Sequence, residues 1–404
     1  MLSGGEQRIT LPAIIYLLLL WTPASFLFAL IVIPEHRVNR AIKQILATPL
    51  LAVQFLLPFA IASESKALNL VCSVLNFNVW LRFIGLFLVD PLVEENPAYT
   101  TVKNLWIEFW SCMREFPEVA IKNGKTSKAK EYTKDRSFYH IILLLFLELL
   151  TLDVVATWIT SFSSREINAL ATERPMLFFI FFVAANILLT STFNSIGYAL
   201  QLFYCIFIEG GSYSSEQWRP MMNYPVKSNS LNEFWSQRWH QVFKQTWLAI
   251  PFRPVRILSV RVLSSIMKNP KSISFMLAFI SVFVISALMH EYALAVNHGL
   301  SIYRRFFMGE QLFFFMAHAL GVLIEQTMQA TVVKRWFIRS TIAHKLIGHI
   351  WTVAFGYFTF YYIMNGFISS EFYAENPIRF LNPYILRIVR ETPALRPYFG
   401  SYIY

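Results

Sequence analysis

Hydrophobic runs long enough to cross a membrane recur along this chain, and they constrain its fold more than any other feature. A helix rising about 1.5 Å per residue needs roughly 20 apolar residues to cross the hydrocarbon core. Eight runs approach that length, at residues 11–33, 45–62, 68–89, 138–162, 175–208, 272–298, 311–331 and 346–368. The second is short and holds Pro49 and Pro58, which predicts a kink. The fifth is long enough for a strongly tilted helix or for a helix with a re-entrant piece. Composition agrees with lipid as the solvent. Of 404 residues, 56% are hydrophobic and 15% charged, whereas soluble chains carry about a quarter charged residues. No internal repeat and no separating linker is evident, so the fold class predicted is all-α, a polytopic membrane protein with about eight transmembrane helices in a single domain over residues 1–404.

The net charge of +11 would suit a nucleic-acid binder, but its placement argues otherwise. Of the 35 Lys and Arg residues, 24 fall in the connections at 34–44, 90–137, 209–271 and 332–345. That asymmetry predicts four basic loops facing the cytosol and both termini on the other side. The first run reads as a retained span, being too long for the apolar core of a cleaved signal. The loop 90–137 carries a basic patch (Lys122, Lys125, Lys128, Lys130, Lys134 and Arg136), read as a membrane-surface anchor or as a dock for a phosphorylated ligand. Three cysteines without short spacing exclude a disulfide framework and a Cys-based zinc site. His344 and His349 have the spacing of one desaturase iron box, but the other boxes are missing, so no metal site is predicted.

Two segments hold residues that suit chemistry. In the connection 209–271, Phe234, Trp235, Trp239 and Phe243 recur near helical spacing around Arg238, His240 and Lys244. The simplest reading is an interfacial helix lying flat with its aromatics among the headgroups. The alternative places His240 at the edge of a cavity. The second segment, Ser286 to Tyr292, puts His290 and Glu291 deep inside the sixth run. Ionisable side chains at that depth are costly and face the bundle interior or a cavity. Neighbours on a helix point in different directions, so His290 and Glu291 do not act as one unit. Asn297, seven residues on, shares His290's face. A neutral imidazole there is suited to act as a general base, and Glu291 suits a supporting contact. Glu148, Asp153, Asn186, Asn194, Glu325, Gln326 and Gln329 are further intramembrane polar residues, read mainly as helix-to-helix contacts, and Arg82 snorkels or pairs with one of these acids.

Taken together, Phe234 to His240 and, 50 residues after that histidine, His290-Glu291 resemble the membrane-bound O-acyltransferase superfamily. The resemblance is to its wax-synthase-like branch, with an FWGRRWHQ-like loop and an SGxxHE-like span, and within that to fungal enzymes that acylate terpenoids and other secondary metabolites. Gln237 and Ala287 depart from the branch pattern without touching the histidines. The resemblance implies a helical bundle around a tunnel, located in the endoplasmic reticulum. The implied reaction is acyl transfer from coenzyme A to the hydroxyl of a small-molecule alcohol, without metal. It implies His290 as the catalytic base and His240 as its polar partner. Asn232, Trp235, Arg238, Trp239 and Lys244 would then be donor-binding candidates, with Glu291 and Asn297 behind the histidine. Acetyl-CoA with a terpenoid or polyketide acceptor is favoured over a fatty acyl-CoA with a fatty alcohol. A transporter, the rival from another class, predicts paired broken helices in two halves, and no such symmetry is seen.

Overall fold

The computed structural model describes residues 8–93, 101–114, 138–208, 218–328, 341–375 and 378–403. The basic patch of the loop 90–137 and Gln329 lie outside the described residues. Helices dominate, as the hydrophobic runs predict. In chain order they are α1 (Ala13–Val32), α2 (Arg40–Ala60), α3 (Lys66–Ile84), α4 (Val102–Trp110), α5 (Phe138–Ile159), α6 (Ser164–Glu173) and α7 (Pro175–Phe207). After the connection come α8 (Arg253–Leu263), α9 (Lys271–His298), α10 (Leu300–Phe306), α11 (Glu310–Met328), α12 (Thr341–Ser369) and α13 (Asn382–Glu391). One small parallel pair, β1 (Ile9–Leu11) with β2 (Ile61–Ser63), was not expected from the sequence.

Among the described residues, six helices are long and apolar enough to cross a membrane: α1, α2, α3 with its continuation to Val93, α5, α7 and α9. The pair α10 and α11, bent by 51°, makes a seventh if it counts as one span. The eighth predicted run forms a helix too, α12, which is not among those six. The fifth run is one continuous helix of 33 residues, without a re-entrant piece. Exposed apolar side chains such as Leu18 and Phe26 on α1 or Phe146 on α5 are the faces that lipid would cover.

Local chemistry sets the helix ends. Asn39 caps α2 by accepting from the Ile42 amide at 2.9 Å. The helix then runs unbroken through Pro49 and Pro58, and begins five residues before its predicted run because Lys43 is buried rather than excluded. The Lys43 ammonium donates to the carbonyls of Ile31 and Ile33, at the end of α1 where the helix dipole is negative. Arg82 pairs with Asp90 at 3.7 Å, an acid outside the set that the sequence suggested.

The chain divides into two compact units. The first comprises Met1–Trp106, Phe243–Ile324 and Tyr361–Glu375. Its core joins Leu27 and Ile31 of α1 and Leu51 of α2 to Phe83 and Phe87. The Tyr292 ring on α9 lies 4.9, 5.5 and 5.4 Å from those of Phe55, Phe59 and Phe77. The second unit comprises Ile107–Val242, Glu325–Phe360 and Asn376–Tyr404. There α5 lies along α7, and Trp110, Tyr204 and Trp218 cluster with the Arg114 guanidinium 4.7 Å from the Tyr204 ring.

Candidate active site

The first unit holds His290, and α9 presents it differently from Met289, Tyr292, Asn297 and His298. Met289, Tyr292 and Asn297 all contact other helices. Asn78 donates to the Met289 sulfur at 2.8 Å, Tyr292 donates to the Phe55 carbonyl at 2.8 Å, and Asn297 donates to Ser73 Oγ at 3.2 Å. His298 Nε2 bonds the Gly366 carbonyl at 2.8 Å. These contacts fix the rotation of α9 about its axis. His290 instead bonds its own helix, Nδ1 to the Ser286 carbonyl at 2.7 Å. A carbonyl only accepts, so this contact places a proton on Nδ1 and leaves the lone pair of the neutral ring on Nε2. Phe315 at 4.8 Å and Phe367 at 6.0 Å hold the ring in place. The side chain is half-buried.

Glu291 turns away from His290 and fastens the bend between α10 and α11. It accepts from Tyr303 Oη at 2.8 Å, from the Gly309 amide at 3.0 Å and from the Leu312 amide at 3.1 Å. A carboxylate there meets two orphan amides and the positive end of the α11 dipole. Gly309 has φ of 91°, a backbone state that side chains with a Cβ resist. Asn297 joins α9 to α3. Lys244 is exposed in the first unit.

The second unit holds the aromatic loop, and its geometry departs from the flat helix that the spacing predicts. Ser230 caps a single turn, Leu231–Glu233, by accepting from the Glu233 amide at 2.9 Å. The chain then widens into a π turn over Phe234–Arg238, closed by the Trp239 amide on the Phe234 carbonyl at 2.8 Å. The wider turn puts residues five apart on one face. Phe234 and Trp239 accordingly stack at 5.0 Å and 22°, with Trp235 edge-on to Phe234 at 5.1 Å. Arg238 is held by Glu233, Nε to Oε1 at 2.7 Å, and donates to the Asn223 carbonyl at 3.0 Å. Burial works against ionisation of Glu233, but bonds from Asn229 and Arg238 outweigh it and keep the carboxyl below its usual range.

His240 follows, buried, with its ring 5.3 Å from Trp239 and 5.9 Å from Phe193, and its amide on the Met222 sulfur at 2.9 Å. Two residues of the same unit anchor the loop. Glu325 of α11 accepts from the Leu231 amide at 2.8 Å, and the Asn232 backbone and Ser230 also face it. His349 of α12 bonds the Ser228 carbonyl through Nδ1 at 2.9 Å. At Gly348 a Cβ would lie 2.1 Å from the Asn229 carbonyl oxygen, so helix and loop touch there. The sequence did not show these anchors: Glu325 read as a contact between helices or a cavity residue, and His349 was weighed only as half of an iron box. Of the other polar residues, Asn194 joins Glu148 to the Met222 amide at 3.2 and 2.9 Å. Asp153 accepts from the Leu381 amide at 2.5 Å. Asn186 bonds its own helix.

Residues 218–317 match a family model described as the membrane bound O-acyl transferase family. The match takes in the aromatic loop, α9 and the bend that Glu291 fastens. The chain is 28% identical over 125 residues to the "Probable long-chain-alcohol O-fatty-acyltransferase 7" of Arabidopsis thaliana, covering 31% of this chain and 34% of the relative. It is 26% identical over 195 residues to acetyltransferase atnC of an Arthrinium species, covering 46% of this chain and 40% of the relative. It is 22% identical over 160 residues to acetyltransferase aurG of Calcarisporium arbuscula, covering 39% and 37%. The chain therefore spans only 34% to 40% of the length of these curated relatives. No solved structure matches it significantly. Over residues 218–317, which hold both histidine segments, the chain is thus similar to the membrane bound O-acyl transferase family.

Proposed function

We propose that the protein is an acyl-CoA-dependent O-acyltransferase of a cellular membrane, the endoplasmic reticulum in our reading, with His290 as its base. The observation that carries this reading is the His290 geometry. Nδ1 is bound to the Ser286 carbonyl, which leaves the lone pair of the neutral, half-buried ring on Nε2. A thioester is already activated, so the chemical need is a base that takes the proton of a hydroxyl as its oxygen attacks the acyl carbon. The new C–O bond forms, the C–S bond breaks, and the coenzyme A thiolate leaves and takes up the proton. No covalent acyl-enzyme is needed. His240 and Asn232 would stabilise the thioester oxygen as charge develops, while Trp235, Trp239 and Lys244 would face the donor. Arg238, engaged with Glu233, would hold the loop in shape beside the donor.

The acyl group favoured is acetyl and the acceptor a hydrophobic secondary metabolite such as a terpenoid or polyketide, in keeping with two relatives named as acetyltransferases. A second reading, a fatty acyl donor with a long-chain alcohol, is favoured by the Arabidopsis relative's name. Membranes holding the full chain, given labelled acetyl-CoA or palmitoyl-CoA with a panel of alcohols, separate the two. Ester from acetyl-CoA that disappears in His290→Ala is expected. Ester from neither donor would overturn the enzyme reading, and an unchanged rate in His290→Ala would overturn the mechanism.

A further inference from the structure

Beside the His240 segment, the second unit contains two adjoining cavities of about 230 Å³ each between α5, α7 and the stretch 218–226. Leu144 and Tyr224 line both. On α5 the lining residues run from His140 through Leu144 and Leu147 to Thr151, one stripe along the helix. Eleven helical steps from His140 to Thr151 span about 16 Å, close to half the roughly 30 Å hydrocarbon core. The groove is thus one leaflet deep.

Its two ends differ in chemistry. The inner cavity is walled mainly by Leu144, Leu147, Ile187 and Val226, with Leu147 and Val226 exposed, and its polar members include Thr151 and Glu148, whose carboxylate already accepts from Asn194. The outer cavity is lined by His140, Tyr198, Gln201, Trp218 and Arg219, a set rich in hydrogen-bond donors. Two of these donors are buried with no partner among the described residues, Gln201 Nε2 and Trp218 Nε1. Buried N–H groups in native proteins are nearly always bonded, so an acceptor is missing at this place. The donor-rich end lies where α5 begins and α7 ends. The Lys/Arg distribution assigns that side to the cytosol, whose leaflet is the anionic one.

We propose that this groove is a binding site for an anionic phospholipid of the cytosolic leaflet. One acyl chain lies along α5 against Leu144, Leu147 and Ile187, and the phosphate oxygens accept from Gln201, Trp218 and Arg219. The site is separate from the acyl-transfer chemistry and stands whether or not that reading holds. The wall formed by residues 219–224 continues into the His240 segment, since the Gln241 amide bonds the Met221 carbonyl at 3.0 Å and the Asn223 amide bonds the Arg238 carbonyl at 2.9 Å.

The test uses the full chain in nanodiscs containing a photoreactive phosphatidic acid or its phosphatidylcholine analogue, with labelled peptides read by mass spectrometry. The acidic probe is expected to label α5 and α7 in preference to the zwitterionic one. Labelling should fall about fivefold in Arg219→Gln, the worth of one cation at a membrane surface, and it should also fall in Ile187→Trp, which fills the chain end. Gln201→Leu provides the same reading if Arg219→Gln does not fold. Equal labelling by both probes, or labelling unchanged in these variants, would overturn the proposal. Displacement by glycerol phosphate would show a site for a soluble phosphate instead, and displacement by palmitoyl-CoA would give the groove to the acyl donor. Either result also overturns it.

Discussion

The aromatic loop and the helix α9 both deliver a histidine, but they hold it by opposite means. In the loop, polar residues satisfy one another and their anchors: Arg238 with Glu233, the Leu231 amide with Glu325, the Ser228 carbonyl with His349. The shape there depends on side chains reaching across from other helices. On α9 the helix itself supplies the shape, and polar neighbours only fix its rotation. His290 is the residue spared from that work. A rigid element positions one group well with few contacts, while an irregular segment needs a network to do the same.

Substitutions can break this contrast. The largest effect is expected at His290, where alanine removes the base without removing a tie between helices. Acyl transfer should fall by about 10²- to 10⁴-fold, while detergent-solubilised yield and thermal stability, measured in parallel, stay near wild type. Next comes Gly348→Leu, whose side chain meets the Asn229 carbonyl. Forced displacement of the loop should cost about 1–3 kcal/mol, read as a lower melting temperature together with protease cleavage near residue 229. Glu325→Ala leaves the Leu231 amide buried without its acceptor, at a cost of about 1–3 kcal/mol. The same thermal melt should show it, together with a reduced rate although His290 is intact. A normal rate in that variant would separate the loop from the chemistry.

The smallest effects concern the Glu233–Arg238 pair. It is partly exposed, so Arg238→Ala should cost no more than about 1 kcal/mol, checked by melting at low and high salt. Its pH dependence has a definite sign. The Glu233 carboxyl lies below its ordinary value in the folded loop, so its contribution is full above that ordinary value. The contribution is lost as pH falls through the lowered folded value. Fluorescence of the loop tryptophans followed down in pH should report that loss in wild type, and a Glu233→Gln variant should not show it.

Much of this was legible in the sequence. The long hydrophobic runs located the helices, because crossing lipid demands length and apolarity that nothing else in the chain imitates. The adjacency of His290 and Glu291 showed that they face different ways. What Glu291 touches was not legible, because Tyr303, Gly309 and Leu312 reach it only through the bend between α10 and α11. The Gly309-Glu310 step was the one local signal for that bend. Helical spacing misled in the loop, since a π turn shifts the aromatic register from four residues to five. The expected count of about eight spans compares with six, or seven with the bent pair, among the described residues. Glu325 and His349 as loop anchors depend on contacts across more than 90 residues of chain.

The central claim is that His290 offers Nε2 as a base because Nδ1 is held by the Ser286 carbonyl. Nitrogen-15 solid-state NMR of the full chain in lipid, with labelled histidine and the His290→Gln variant to assign the signal, reads that proton directly. The account predicts a neutral His290 with the proton on Nδ1 and an unprotonated Nε2. A ring protonated on Nε2 would contradict it.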